Sequence, residues 1–354
     1  MSWILKVKTS KGMRRECRLG KKPVSGIMLV LLTIGMLSLA FNVQPAKSEW
    51  TGTVYIRADG SIDPPDAPIK TCDNITYTLI DNITSDGDGI IVERNNIIIN
   101  GMLHELEGSF QGAGIMLSCL SNVTIKNVYV MNFREGISLS NVSFITISRS
   151  NMANNQYGIW ISNSNNILIS NNIVKSSNII GIFMSNCKGS KIYNNTIDNF
   201  FGIELQHSSE NIISENRFQD NSDYGLQLLF AHNNTVTENL FMNNKYGIVV
   251  ERSCSNRVHN NTFINNSEAG LRLIGYSSLN YICSNAFSND GVFIASSFNN
   301  IFENNTVNQR PLVYLENVEN LTLQNRDIGQ LVVLKCNNVE MRHLTISGTC
   351  IGIE

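Results

Sequence analysis

Glu215 and Glu238 each stand one residue before an asparagine, 23 residues apart. If the segments around them stack as neighbouring strands, the two carboxyls lie about 5 Å apart. That is near the spacing of the carboxylate pair in retaining glycoside hydrolysis. Cys187, His207, His232 and Cys254 recur at similar intervals and read as one turn of four consecutive coils. Thiolate and imidazole are soft donors suited to Cu(I) or Zn²⁺. Four coils span about 14 Å, so a single ion cannot take all four; His232 and Cys254 are the best-aligned pair, with His207 able to join. A third set, Trp160, Phe183, Glu204, Gln227 and Arg272, follows successive glycines by two residues. Aromatic faces flanked by carboxylate, amide and guanidinium suit a sugar chain.

Each set has a plainer reading. The glutamates fit an exposed turn, the Cys/His set fits ordinary variation at a corner, and the aromatics fit self-packing. No Cys-x-x-Cys, Met-rich or His-rich tract accompanies the soft donors. No cluster of acids like those that bind Ca²⁺ or hydrolyse acidic polysaccharides is present, and Asp86-Gly-Asp-Gly reads as turn chemistry.

All three sets depend on one periodicity. Gly114, Gly136, Gly158, Gly181, Gly202, Gly225, Gly247, Gly270 and Gly291 recur about every 22 residues, each followed by Ile, Leu or Val. In the stretch from Gly158, Ile159 and Ile161 alternate with Trp160. Ile167 and Ile169 follow after a polar turn, then Ile173 and Val174 after Asn171-Asn172. That makes three short strands and three turns per repeat, with period-2 alternation and no helical spacing. One repeat buries too little to fold alone; stacked repeats share a core. The sequence therefore predicts an all-β, single-stranded right-handed parallel β-helix. Its roughly dozen coils would rise about 4.8 Å each, giving a rod on the order of 55 Å.

Core columns read down the chain as Ile115 to Val292, Ile125 to Ile282 and Met152 to Val307. Asn172, Asn195, Asn216, Asn239, Asn261, Asn285 and Asn305 form a further column, expected to be a buried ladder of amides bonded coil to coil.

Four segments are expected. Residues 1–48 hold eight basic residues between Lys6 and Lys22, then an apolar run from Gly26 to Phe41, and read as a signal peptide or an N-terminal membrane anchor. Residues 49–88 are expected to cap the solenoid, 89–308 to form its regular coils, and 309–354 to continue it irregularly. The glycine–isoleucine start returns at Gly352-Ile353, which reads as a coil cut short, with further coils or an anchor beyond it. Net charge is −2, which leaves no basic footprint for nucleic acid. Cys119, Cys187 and Cys254 read as one turn, three coils apart and out of disulfide reach. Ten Asn-x-Ser/Thr sequons, from Asn74 to Asn320, are candidate glycan acceptors outside the cytoplasm, though turn chemistry alone produces several of them.

The repeat Gly-Ile-x-Ile/Leu, then Ser-x-Asn-x-Ile-x-Ile, then Asn-x-Ile/Phe resembles the parallel β-helix repeats of the pectin-lyase-like superfamily. Within it, the NosD-type proteins and their archaeal surface relatives are the nearest in kind. Thr53-Val-Tyr-Ile-Arg-Ala-Asp-Gly-Ser-Ile-Asp-Pro-Pro is similar to the first mature segment of those relatives, and Arg310-Pro-Leu-Val-Tyr-Leu to an element in the middle of the NosD-type domain. The resemblance covers about residues 50–354 and implies copper handling in the bacterial members and surface or adhesion roles in the archaeal ones. The Gly-His-Gly and Arg-Ile-Lys motifs of the polygalacturonase relatives are absent. The leading expectation is an exported, non-catalytic β-helix whose binding face takes carbohydrate or a cell-envelope component. On that reading, only its terminal segments would touch a membrane. The alternatives are an accessory protein handling copper for an extracytoplasmic enzyme, and a polysaccharide lyase or hydrolase.

Overall fold

The computed structural model describes residues 50–346; the leader, Cys350 and Gly352-Ile353 lie outside them. The chain winds as a parallel β-solenoid with three long sheets of 12, 12 and 14 strands. Among the described residues there is no helix, and so none long and apolar enough to cross a membrane. Each regular coil runs through a six-residue strand such as Tyr157–Ser162, then Leu168–Ser170, then Ile173–Lys175. The first of these strand types builds the long-strand sheet. Register is parallel throughout the regular part, Ile137 facing Ile159 and Ile159 facing Ile182. The core columns therefore face inward at essentially zero exposure, because period-2 alternation sends the intervening residues out. Phe218, Phe241, Phe263 and Phe287 stack with centroids 4.5, 5.1 and 4.5 Å apart, which fits the rise of one coil.

The glycine column is explained by close approach. A Cβ on Gly181 would lie 2.5 Å from Asn199 Nδ2 and 2.7 Å from the Gly202 carbonyl. One on Gly136 would meet the Gly158 carbonyl at 2.5 Å and Asn155 Nδ2 at 2.9 Å. From Gly114 to Gly247 each Cβ would come within 3 Å of the carbonyl of the glycine in the next coil, with a buried side chain beside it.

Buried amides form three ladders. Asn172, Asn195, Asn216, Asn239, Asn261, Asn285 and Asn305 are joined by Nδ2–H···Oδ1 bonds of 3.0–3.1 Å. A second ladder runs Asn211, Asn234, Asn256, Asn280, Asn300 at 3.1–3.2 Å. The third runs Asn199, Asn221, Asn244, Asn266 and ends on Asp290. Asn239 shows the logic. Its Oδ1 accepts from Asn216 N and Nδ2, and its own Nδ2 donates to the Ile213 and Thr237 carbonyls and to Asn261. Every polar atom of the buried side chain has a partner, so its burial costs little.

The two ends differ from the middle. Trp50–Thr51, Val54–Ile56 and Thr76–Leu79 each pair in parallel with the coil that follows. Residues 50–88 thus supply the first rung of every sheet. Ile62–Asp63 and Ile69–Lys70 fold back antiparallel and occupy the edges of two sheets, a common way to blunt a solenoid end. At the other end, Arg310–Glu316 runs antiparallel to Thr306–Val307. Beyond it the coil shortens to 18 residues, with Leu312 facing Gln330 and Glu319 facing Asn337.

Candidate functional site

The outer face of the long-strand sheet carries the column Trp160, Phe183, Glu204, Gln227, Val249, Arg272, Phe293, each residue paired with the next. At its first end the aromatics pack on one another: Trp160 and Phe183 have centroids 4.4 Å apart, with Tyr157 edge-on to Trp160 at 4.7 Å. Phe183 is buried as a result, while Trp160 and Tyr157 keep partly open faces.

Further along, the column opens into a cleft of about 380 Å³. Glu204 and Gln227 form part of its floor, with Tyr224 and Tyr246 along one side, Glu251 along the other and Arg272 at the far end. Tyr224 donates its hydroxyl proton to Glu204 Oε2 at 2.6 Å, and its ring stacks on Phe201 at 4.7 Å. Gln227 Nε2 donates to Glu251 Oε2 at 3.3 Å. The Arg272 guanidinium lies 4.8 Å over the Tyr246 ring and 5.7 Å from Phe293. Loss of solvent raises the Glu204 carboxyl above the ordinary glutamate value; the Tyr224 hydrogen bond opposes this and the charge of Glu251 adds to it. Burial also drives the Tyr224 phenol upward, reinforced by the Glu204 charge. Tyr224 therefore stays a neutral donor, and Glu204 is a desolvated carboxyl aimed along the cleft. The arrangement joins fixed hydrogen-bonding groups to flat ring surfaces in a shallow trough.

Glu251 was not singled out in the sequence. It lies two residues beyond Val249 on the same strand, so strand alternation places it on the same outward face.

The other sequence candidates are dispersed. Glu215 and Glu238 do occupy adjacent coils, but at an exposed corner where both backbones are left-handed, φ 57° in each. They take the position that Asn194 and Asn260 hold in neighbouring coils. The proposed Cys/His turn is not one turn. Cys187, His207 and the pair His232–Cys254 occupy three successive corner positions. Cys187 faces the interior beside Ser208, and burial pushes its thiol up to about 11. His207 lies exposed and stacks on Phe230 at 5.0 Å. His232 accepts the Cys254 backbone N–H on Nδ1 at 3.0 Å, while the Cys254 thiol faces Ser278. Among the described residues no three His, Cys, Asp or Glu side chains converge, and these donors do not fit a copper centre. Cys119 shares the corner position of His207, so the three-cysteine turn also resolves into separate columns. Nine of the ten sequon asparagines have positive φ, so turn geometry accounts for the residue type there.

The three-sheet coil with stacked interior columns defines a parallel β-helix of the pectin-lyase-like class. Residues 80–271 match the family described as periplasmic copper-binding protein (NosD), and the chain belongs to that family. Among solved structures, the periplasmic alginate epimerase AlgG is similar at 14% identity and a TM-score of 0.46, covering 68% of this chain and 80% of that one. DFA-IIIase from Arthrobacter chlorophenolicus, without its lid, is similar at 14% identity and a TM-score of 0.48, covering 57% of this chain and 63% of that one. No curated protein matches the chain.

Proposed function

We propose that this protein is an exported β-helix that binds carbohydrate of the cell envelope on its long-strand sheet, in the cleft between Glu204, Gln227, Glu251 and Arg272. One observation carries the reading. On this sheet face three carboxylates (Glu204, Asp223 and Glu251), an amide, a guanidinium and three aromatic rings meet in one trough. Hydroxyl-rich ligands need such directional partners beside flat apolar surfaces. The trough lies along a stack rising about 4.8 Å per coil, which suits an extended chain of sugar rings.

The test is calorimetry of the full-length protein with cellohexaose, chitohexaose, mannohexaose and polygalacturonate. At least one neutral oligosaccharide should bind, and Arg272→Ala should weaken it about tenfold or more by removing the cation beside Tyr246. The proposal fails if none binds, or if Arg272→Ala and Glu204→Gln bind as tightly as the parent.

Family membership favours a second reading, copper handling. It requires ligands that the described Cys and His residues do not assemble by themselves. On that reading, Cu(I) titration would show one tight equivalent that His232→Ala or Cys254→Ser removes; on the carbohydrate reading, neither variant changes the titration.

A further inference from the structure

Asp290 is the one fully buried carboxylate among the described residues, and it closes the third ladder. Its Oδ2 accepts from Asn266 N at 3.0 Å and from Asn266 Nδ2 at 2.7 Å, as each ladder oxygen does. Its Oδ1 is buried without a partner. The ladder shows what that atom ought to meet. Asn244 Nδ2 donates to the Phe218 carbonyl and Asn266 Nδ2 to the Phe241 carbonyl. Continued by one coil, the same register would bring the second atom of residue 290 to the Phe263 carbonyl. Oδ1 also lies 3.1 Å from the Cβ position of Gly270; in the same column Asn155 and Asn199 place Nδ2 2.9 and 2.5 Å from Gly136 and Gly181, and Asn221 places Oδ1 3.2 Å from Gly202. An acceptor thus sits where the fold supplies another acceptor. Two facing oxygens without a proton between them repel, and one proton turns the contact into a hydrogen bond.

The same stretch holds the C-terminal segment. The Gly291 carbonyl takes the N–H groups of Gly270 and Leu271 from the preceding coil. Val292 then meets Gln330, which is fully buried. Gln330 Oε1 accepts Val292 N–H at 2.8 Å, and Gln330 Nε2 donates to the Val292 carbonyl at 2.6 Å. A side-chain amide here does the work of a strand, and Gln330 opens the strand Gln330–Leu334 of the 18-residue coils.

We propose that Asp290 carries a proton on Oδ1 in the folded protein, and that losing it loosens residues 289–292 and releases the Gln330 clasp on the C-terminal coils. Burial supports this by pushing the Asp290 carboxyl up to about 7, with hydrogen bonds from Asn266 and Ser288 pulling the other way. The packed elements offer no counter-charge. Asn266, Gly270 and Ser288 face the group; Glu268 is exposed on the coil before it, and Arg310 pairs with Asp327 at 3.2 Å on the coil after it. Among the described residues no ion pair stabilises the charged form.

Hydrogen exchange on the full-length protein tests the clasp. Corrected for intrinsic base catalysis, exchange at the Val292 amide should quicken by up to about tenfold per pH unit between about pH 4 and 7 and level off above pH 7. Asp290→Asn supplies the missing donor permanently and should flatten that dependence. Gln330→Ala should leave Val292 fast at every pH. Infrared spectra of wild type minus Asp290→Asn should show a protonated carboxyl band at pH 6 that disappears above pH 8. An ionised Asp290 at pH 6, or a Val292 profile identical in wild type and Asp290→Asn, overturns the proposal.

Discussion

The regular coils and the C-terminal coils are both parallel stacks, yet they are held together differently. Between Ala113 and Val307 every corner is filled by a buried side chain, apolar at Leu120, Val128 and Phe133 and mostly a ladder amide or serine from Ser150 onward, and the inward columns are fully covered on both sides. Between Arg310 and Arg342 Gln330 is the one buried amide among the described residues, no ladder continues, and Asn338 bonds Asn320 at 2.7 Å on the exposed surface. Leu321, Leu323 and Val339 remain half-exposed and Met341 is exposed. A parallel β-helix is therefore not stabilised by strand pairing alone. Covered columns and satisfied corners distinguish the rigid part from the loosely built one.

Side-by-side substitutions sharpen that contrast. Phe241 sits mid-stack between Phe218 and Phe263, so Phe241→Ala should cost about 4 kcal/mol in denaturant unfolding. Leu323→Ala, in a half-exposed column, should cost about 1 kcal/mol. Equal costs would erase the distinction. Asn239→Leu strands the N–H and carbonyl partners on both sides and should cost about 3 kcal/mol, whereas Asn338→Leu at the exposed corner should stay within roughly 0.5 kcal/mol.

Asp290 adds a pH dependence to the boundary between the two regions. Its folded-state value is raised from 3.8 to about 7, so the folded chain keeps a proton that the unfolded chain gives up. Its contribution is full below pH 4 and declines as pH rises to about 7, by an amount on the order of 3 kcal/mol. Urea titrations at pH 5 and 8 should show the decline in wild type and its absence in Asp290→Asn. The smallest effect concerns the exposed glutamates. Glu238→Asn, which puts an asparagine in a left-handed corner, should stabilise by about 0.5–1 kcal/mol. A loss of stability there would mean the Glu215–Glu238 pair has a role beyond the turn.

Much of this fold was legible because glycine and the β-branched residues keep one period over nine coils. The ladder from Asn172 to Asn305 was legible for the same reason. The other two were hidden because serine replaces asparagine at Ser177 and Ser190 and aspartate ends one of them. In pairs such as Asn194-Asn195 the first residue makes the left-handed turn and the second points inward, and composition does not separate them. The Cys/His grouping misread the corners for a related reason. Adjacent corner positions point in different directions, so an error of one residue moves a thiol from the surface to the core, as Cys187 shows. In the outer column Glu204, Gln227 and Arg272 were legible by alternation, but that Tyr224 bonds Glu204 and Glu251 bonds Gln227 needed the lateral geometry.

The most direct measurement compares two pairs of glutamates in one binding experiment. The Kd of the best neutral hexasaccharide is measured for Glu204→Gln/Glu251→Gln and for Glu215→Gln/Glu238→Gln. Carbohydrate binding in the cleft predicts a loss of tenfold or more in the first variant and an unchanged Kd in the second. Equal affinity in both, or a loss confined to the second, would contradict it.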